Sequence, residues 1–191
     1  RRVVVAGCLP QREADRLQAE VPGVDAVIGV FERDRVLAAV MGVKGTDTFF
    51  HQKPRKKESV PLASDRGRFR LTPRHTAYLR LSEGCSAGCS YCTIPAIRGP
   101  LRSKPLAEVL AEAAELAADG AIEINLIAQD TTAYGRDLDD DTDLAAVLRG
   151  LDRIDGLRWI RLLYAPPATM TDATIDAMAE CNRVVKYLDL P

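Results

Sequence analysis

Three cysteines lie close together in the middle of the chain, at a spacing that suits metal ligands. In Gly84-Cys85-Ser86-Ala87-Gly88-Cys89-Ser90-Tyr91-Cys92 they follow the pattern Cys-x3-Cys-x2-Cys, with mostly small residues between them. Three thiolates on a 4Fe–4S cube leave one iron open, and an open iron can bind a small molecule as well as pass electrons. We therefore interpret Cys85, Cys89 and Cys92 as ligands of a reactive cluster. The flat side chain of Tyr91 is expected to pack beside a bound cofactor.

Two other chemistries use cysteines at similar spacing and stay open from the residues alone. A structural zinc site would take His51 or His75 as its fourth ligand, but zinc ligands usually pair across two short knuckles, and here three thiols share one loop. A thioredoxin-like pair formed by the last two cysteines would begin a helix directly, yet Pro95 follows closely and the first cysteine would have no role. The cluster interpretation is therefore favoured over both.

The composition is typical of an ordinary folded protein and excludes disordered and collagen-like classes. The 191 residues are 47% hydrophobic, and 26 Lys and Arg nearly balance 27 Asp and Glu, which gives no reason to expect a nucleic-acid or acidic-membrane partner. No apolar run approaches the roughly 20 residues that span a bilayer, and the first residues lack the apolar segment of a signal peptide. Five cysteines, an odd number, fit a reducing compartment better than a disulfide framework. We expect a cytoplasmic protein.

The residues before the cysteine loop divide into two segments. Residues 1–43 predict strand, helix, strand and helix, and so the carboxyl-terminal part of an open α/β domain. The predicted elements are strand 3–6, helix 11–20, strand 25–30 and helix 32–41. Residues 44–74 have no periodicity and carry nine basic against three acidic residues. We interpret them as a basic linker, more typical of a solvated connection between domains than of a contact for an anionic partner.

From residue 75 to residue 191 strands and helices alternate, which predicts a parallel sheet in a partial (β/α) barrel. The predicted elements are strand 77–82, helix 106–119, strand 122–128, helix 143–154, strand 157–164, helix 172–180 and strand 184–190. The cysteine loop follows the first strand and so belongs to the carboxyl edge of the sheet, where sites of α/β proteins assemble. Gln129 and Asp130 follow the second strand and are candidates either to contact a cofactor or to cap the next loop.

Several remaining features have plainer interpretations. Trp159 lies among apolar strand residues and is predicted to be core. No other cysteine lies at a motif-like spacing from Cys181, which is predicted to be structural. An acidic stretch is expected to be solvated, because it lacks the pattern of a calcium loop, and its last member favours a helix start; it comprises Asp137, Asp139, Asp140, Asp141 and Asp143. Arg98 and Arg102 are candidates to meet an anionic carboxylate.

The cysteine loop and its surroundings resemble radical S-adenosylmethionine (radical SAM) enzymes. The motif Cys85-x3-Cys89-x-Tyr91-Cys92 is similar to the signature of that superfamily. Short sequences near it resemble the methylthiotransferase branch: Leu71-Thr72-Pro73-Arg74-His75, Ser82-Glu83-Gly84-Cys85, Ile94-Pro95, Arg98-Gly99 and Arg102-Ser103. Gly7-Cys8-Leu9 resembles the last of three cysteine motifs in the amino-terminal domain of that branch, where three thiolates hold an auxiliary cluster. Residues 128–135 (AQDTTAYG) resemble the members that modify a ribosomal protein rather than tRNA.

The resemblance implies two 4Fe–4S clusters, one held by Cys85, Cys89 and Cys92 that binds S-adenosylmethionine, and an auxiliary one for which Cys8 is a ligand. It implies transfer of a methylthio group to the β-carbon of an aspartate in the twelfth small-subunit ribosomal protein. An electron donor is the other partner implied, and neither a membrane nor a nucleic acid is expected as a direct partner. Methylthiolation of tRNA adenosine is the alternative within the same chemistry, and a non-catalytic zinc-binding or interaction module is the alternative outside it.

The same resemblance predicts that this chain is an internal piece of a longer enzyme. The chain opens in an apolar strand without an initiator Met and ends at Pro191, directly after a predicted strand. Members of the branch carry two further auxiliary cysteines, the rest of the barrel and a substrate-binding domain, which the 191 residues lack. We therefore expect this chain alone not to methylthiolate, even with its radical cluster in place.

Overall fold

The computed structural model describes residues 1–43, 65–67 and 69–190, and within them the chain is a mixed α/β protein. Its strands are β1 (Val4–Ala6), β2 (Ala26–Ile28), β3 (Thr76–Arg80), β4 (Ser82–Glu83), β5 (Arg102–Ser103), β6 (Glu123–Ile127), β7 (Trp159–Leu162) and β8 (Val184–Leu188). Its helices are α1 (Cys8–Glu20), α2 (Val36–Met41), α3 (Ile94–Arg98), α4 (Leu106–Ala118), α5 (Leu144–Leu151) and α6 (Asp172–Glu180), with 3₁₀ turns at Val30–Arg35 and Pro167–Thr169. Of the helices described, none is long and apolar enough to cross a membrane.

The described residues form two compact units. The first contains residues 1–43 and 86–100, and the second contains residues 65–67, 69–85 and 101–190. The predicted boundaries at residues 43 and 74 stay predictions, because most of the predicted linker, with His51 in it, lies outside the described residues.

In the first unit two short parallel strands pack with α1. β1 and β2 pair from Val4 opposite Ala26 to Ala6 opposite Ile28. Gly7 has a φ of 125°, a conformation that favours glycine, and turns the chain out of β1. α1 begins directly after it and therefore starts earlier than the predicted helix, which places Cys8 in its first turn.

The second unit is built on a parallel sheet with the strand order β3-β6-β7-β8, so the predicted parallel α/β sheet is confirmed. α5 lies between β6 and β7 in the chain, and α6 lies between β7 and β8. α4 lies directly before β6, and β4, α3 and β5 come between β3 and α4. Helices α4, α5 and α6 and one face of the sheet share a core in which five strand residues are at most 1% exposed: Leu79, Ile124, Leu126, Ile160 and Leu162. Burial of each such side chain stabilises the fold by about 1.5–3 kcal/mol, so the core determines which strand residues must face the other way.

The predicted helices and strands of this unit are present, mostly with shorter ends. The predicted helix start at Asp143 is confirmed, because its carboxylate accepts the Ala146 N–H at 2.8 Å and caps α5. The prediction that Trp159 is core is wrong. Neighbouring residues of a strand face opposite ways, and because Ile160 takes the core face, Trp159 lies on the other face and is 49% exposed.

Candidate functional site

The cysteine loop is closed at its base by two short strands that the sequence did not predict. β4 pairs antiparallel with β5, which closes residues 84–101 into a loop. Directly after β5, the Lys104 N–H donates to the Leu81 carbonyl at 2.9 Å. Gly84 has a φ of 74°, so the chain turns directly before Cys85. We call β4 and β5 the loop base; it holds Cys85 at the end of an ordered strand pair.

A serine joins the loop base to the loop that follows β6. The Ser103 hydroxyl donates to one carboxylate oxygen of Asp137 at 2.6 Å, and its N–H donates to the other at 2.8 Å. The Gly135 N–H in turn donates to the Ser103 hydroxyl oxygen at 3.0 Å. Asp137 is exposed, as predicted, and its carboxylate in addition joins the two loops to each other.

Tyr134 makes a second connection between the same two loops. Its hydroxyl donates to the Lys104 carbonyl at 2.7 Å, and the side chain is 2% exposed. Burial raises the pKa of Tyr134 well above its usual range, and the charges of Asp140 and Asp137 raise it further. The hydroxyl therefore stays protonated, and stays a hydrogen-bond donor, across the physiological pH range.

The four predicted cysteine ligands form no disulfide within the described residues, and they differ in exposure. Cys85 is buried, Cys89 is exposed, and Cys92 and Cys8 are intermediate; the Cys92 N–H donates to the Cys89 carbonyl at 3.1 Å in a tight turn. Across the part of the chain that the structure describes, no three His, Cys, Asp or Glu side chains are close enough to hold a metal ion. The ligand set therefore stays a prediction from spacing and thiol chemistry.

Two candidate side chains of the first unit have clear surroundings. Arg98, in the last turn of α3, places Nη2 3.2 Å from the Cys8 sulfur. The predicted contact of Arg98 with a carboxylate stays a prediction, and the Cys8 thiol is one acceptor beside its guanidinium. Tyr91 is 88% exposed, so its predicted packing beside a cofactor stays a prediction as well.

Three buried oxygens lie at the carboxyl ends of neighbouring strands in the second unit. They are Ser82 Oγ, Gln129 Oε1 and Thr131 Oγ1, and none has a hydrogen-bond partner within the described ranges. Ser82 and Thr131 are fully buried. A buried polar group without a partner costs about 1–3 kcal/mol, so each of these oxygens calls for a further partner, either water or a bound polar molecule.

Asp130 caps the loop that follows β6. Its Oδ1 accepts the Ala133 N–H at 3.1 Å and the hydroxyls of Thr132 and Thr169 at 3.0 Å each. Asp130 is 4% exposed. Of the two roles considered for it, the loop cap is therefore confirmed, and a direct contact with a cofactor stays a prediction.

The face of the sheet opposite the helices is polar and aromatic, which the sequence analysis missed. The strand register aligns Tyr78, Asn125 and Arg161 across β3, β6 and β7. The Arg161 Nε donates to Glu123 at 3.1 Å, and its guanidinium carbon lies 5.6 Å from the centre of the Tyr187 ring. Such a face suits a polar molecule lying over the sheet. The sequence pattern that could have predicted this face is a polar or aromatic residue at every second position of strands that are otherwise apolar.

Tyr164, at the carboxyl end of β7, has a φ of 55°. This left-handed conformation is rare for a bulky residue and is retained where surrounding contacts impose it. The Tyr164 N–H donates to Asp189 at 3.0 Å, and its carbonyl accepts the Thr131 N–H at 3.0 Å. Both contacts come from distant parts of the chain, so no local sequence pattern could have predicted the conformation.

The donor chemistry of these residues fits an iron–sulfur cluster with a small polar cofactor. Three thiols within residues 85–92 are soft donors of the kind that iron clusters use. The unpaired oxygens of Ser82, Gln129 and Thr131 match the amino, carboxylate and hydroxyl groups of such a cofactor. Donor type and these three oxygens are the observations that support the fit.

Comparison with known proteins gives a consistent family relationship. The model of the Radical SAM superfamily matches residues 79–191. The ribosomal protein uS12 methylthiotransferase RimO of Geobacter sulfurreducens is 44% identical over 199 residues, which cover 100% of this chain and 42% of that protein. The protein with the same name from Citrifermentans bemidjiense is 44% identical over 193 residues, which cover 99% of this chain and 42% of its own. The chain thus spans less than half the length of these curated relatives.

One solved structure of a radical S-adenosylmethionine methyltransferase, TsrM from Kitasatospora setae, aligns with 57% of this chain and 21% of its own. The TM-score is 0.45 and the sequence identity 20%.

Proposed function

Because the chain belongs to the radical SAM superfamily, we propose that Cys85, Cys89 and Cys92 hold a 4Fe–4S cluster that binds S-adenosylmethionine. The observation that carries the proposal is the position of the thiols within residues 79–191. They follow the first strand of that region, and the loop base fixes the backbone directly before the first of them. This is the carboxyl edge of a parallel sheet, where α/β proteins build their sites.

When bound, the cluster and S-adenosylmethionine supply one-electron chemistry that can remove hydrogen from an unactivated carbon. The residues of this chain hold and orient these groups. Three thiolates bind iron and leave one iron for the cofactor. Gln129 contributes an unpaired oxygen for the polar groups of the cofactor, Asp130 keeps the neighbouring loop in place, and Tyr91 packs beside the cofactor.

We propose further that the whole protein is a methylthiotransferase that acts on an aspartate of ribosomal protein uS12. The support is the name of relatives that are 44% identical over at least 99% of the chain. On this proposal Cys8 is one ligand of a second 4Fe–4S cluster, an electron donor reduces the protein, and the enzyme works in the cytoplasm. The chain covers 42% of each of these relatives, so methylthiolation is proposed for the whole protein.

The proposed ligand set is tested by iron and sulfide analysis after anaerobic reconstitution. Single variants Cys85→Ala, Cys89→Ala and Cys92→Ala should each lose most of the bound iron and sulfide, because two thiolates hold a cube poorly. Cys181→Ala is the matched control, since Cys181 is a buried free thiol in the core of the second unit. Bound zinc without sulfide, or equal iron in all four variants, would contradict the proposal.

The substrate is tested with the full-length protein, reduced and supplied with S-adenosylmethionine and sulfide. Mass spectrometry should find the methylthio group on an aspartate of uS12 and not on adenosine of tRNA. Modification of tRNA alone would leave the radical chemistry in place and contradict the substrate.

A further inference from the structure

Five buried or partly buried charges of the second unit form an alternating row beside the loop base. In order they are Glu83, Arg80, Asp65, Lys104 and Glu112, which we call the charge row. Glu83, Lys104 and Glu112 are 0%, 1% and 3% exposed. At one end Arg80 donates to Glu83 at 2.6 Å, and at the other Lys104 donates to Glu112 at 2.5 Å. Burying this many charges is costly unless each is well paired.

Asp65 is the central carboxylate and joins the two ends of the row. Arg80 donates from Nε to one oxygen at 3.1 Å and from Nη2 to the other at 3.2 Å, while Lys104 Nζ donates to Asp65 at 3.0 Å. The Asp65 N–H also donates to Glu112 at 3.0 Å. Without the Asp65 carboxylate the row would separate into two pairs, Arg80 with Glu83 and Lys104 with Glu112.

The charge row contacts both chain ends of the loop base. Glu83 is the last residue of β4, and only Gly84 separates it from Cys85. Lys104 directly follows β5 and donates its N–H to Leu81. Asp65, which lies outside the loop, is therefore connected to the strand from which the loop leaves and to the strand to which it returns.

A buried ionic row of this kind is weak evidence for stability, because well-packed apolar residues often serve a core as well or better. Its geometry is directional, however, since a bidentate guanidinium and a lysine converge on one carboxylate. We propose that Asp65 is a positioning residue that holds the strand end before Cys85, and thereby places that thiol for the cluster. The contacts above support the positioning of Cys85. The purpose of that positioning, which is to place a cluster ligand, rests on the proposed function.

A neighbouring residue provides the matched control. Arg66 donates to Glu115 at 3.0 Å, and both side chains are substantially exposed. Arg66→Gln therefore removes an ion pair from the same segment without touching the charge row. Exposed pairs of this kind contribute little to stability, so this variant should behave like the wild type.

The first test measures alkylation of individual thiols in the metal-free chain by mass spectrometry. Cys85 and Cys181 are 8% and 5% exposed, so both should react slowly in the wild type. Asp65→Asn should accelerate alkylation of Cys85 by about tenfold or more and leave the alkylation rate of Cys181 unchanged. A tenfold change is equivalent to about 1.4 kcal/mol in the free energy of local opening at Cys85. Asp65→Glu, which keeps the carboxylate, should restore most of the protection. Equal Cys85 rates in Asp65→Asn and Arg66→Gln, or parallel acceleration of Cys181, would overturn the inference.

The second test uses the reconstituted chain and separates this inference from the proposed function. If the wild type forms no cluster, the proposed function fails, while the alkylation result still decides whether Asp65 positions Cys85. If it forms one, Asp65→Asn should weaken the change that S-adenosylmethionine causes in the paramagnetic resonance signal of the reduced cluster, and Arg66→Gln should not. A signal and a cofactor response identical in both variants would refute the positioning role.

Discussion

A side chain at Gly135 would meet backbone atoms rather than open space. Gly135 lies in the loop after β6, with a φ of 90°. A Cβ atom there would stand 2.0 Å from the Thr142 carbonyl oxygen and 3.2 Å from the Asp143 Cα. Neither neighbour is the end of a flexible side chain, and Asp143 caps α5. Any residue larger than glycine must therefore displace the loop or the start of the helix.

The Gly135→Ala substitution should combine two costs in the free energy of unfolding. A left-handed conformation costs an L-residue about 1–2 kcal/mol, and overlap with backbone costs about 1–3 kcal/mol more. Gly120 separates the conformational cost from the overlap cost. Its φ is 93°, and within the described part of the chain no atom beyond its two chain neighbours lies within 4 Å of its Cβ position. We expect losses of about 2–5 kcal/mol for Gly135→Ala and about 1–2 kcal/mol for Gly120→Ala.

Urea unfolding followed by circular dichroism measures both losses. The midpoint should fall in each variant with an unchanged slope, and the drop should be larger for Gly135→Ala. Equal losses for the two variants would show that the loop moves away from Thr142 at no cost, and would contradict the expected overlap.

Three further predictions concern the hydrogen bond of Tyr134, the helix cap of Asp143 and the exposure of Trp159. Tyr134→Phe removes the donor to Lys104 and should cost about 1 kcal/mol. Because folding raises the pKa of Tyr134, the wild type should lose stability as the pH rises above about 10, and unfolding midpoints near pH 8 and pH 10.5 should show a smaller loss in the Phe variant. Asp143→Ala should lower the urea midpoint by the equivalent of about 1 kcal/mol, whereas Asp143→Ser should keep most of the helix cap. Trp159 is the single tryptophan and is 49% exposed, so acrylamide should quench native fluorescence readily; a blue-shifted, protected emission would contradict its position.

The parallel sheet could be predicted from the sequence because its signals are local. Alternating apolar strands and amphipathic helices leave few other arrangements, and short connections with a single hand of crossover remove most of the rest. The cysteine spacing was equally local, and so was the helix cap of Asp143. The side of the sheet on which Trp159 lies could not be predicted from local signals. A tryptophan among Ile and Leu residues fits either face of a strand until the helices cover one of the two faces.

The parts of the candidate site that were missed depend on contacts between distant residues. Asp65 meets Lys104 across 39 residues of sequence, and Ser103 meets Asp137 across 34. Asp65 stood out in composition only as one of three acidic residues in a basic segment. The loop base was missed for a different reason: two strands of two residues each are too short to show any periodicity.

We propose above that the thiols of Cys85, Cys89 and Cys92 hold a cluster with an iron open to S-adenosylmethionine. The most direct measurement is low-temperature electron paramagnetic resonance of the anaerobically reconstituted, reduced chain, with and without S-adenosylmethionine. A 4Fe–4S signal that changes on addition of the cofactor, and that is absent in Cys89→Ala, is the result we predict. A cluster signal that is indifferent to the cofactor, or a colourless protein that holds zinc, would contradict the claim.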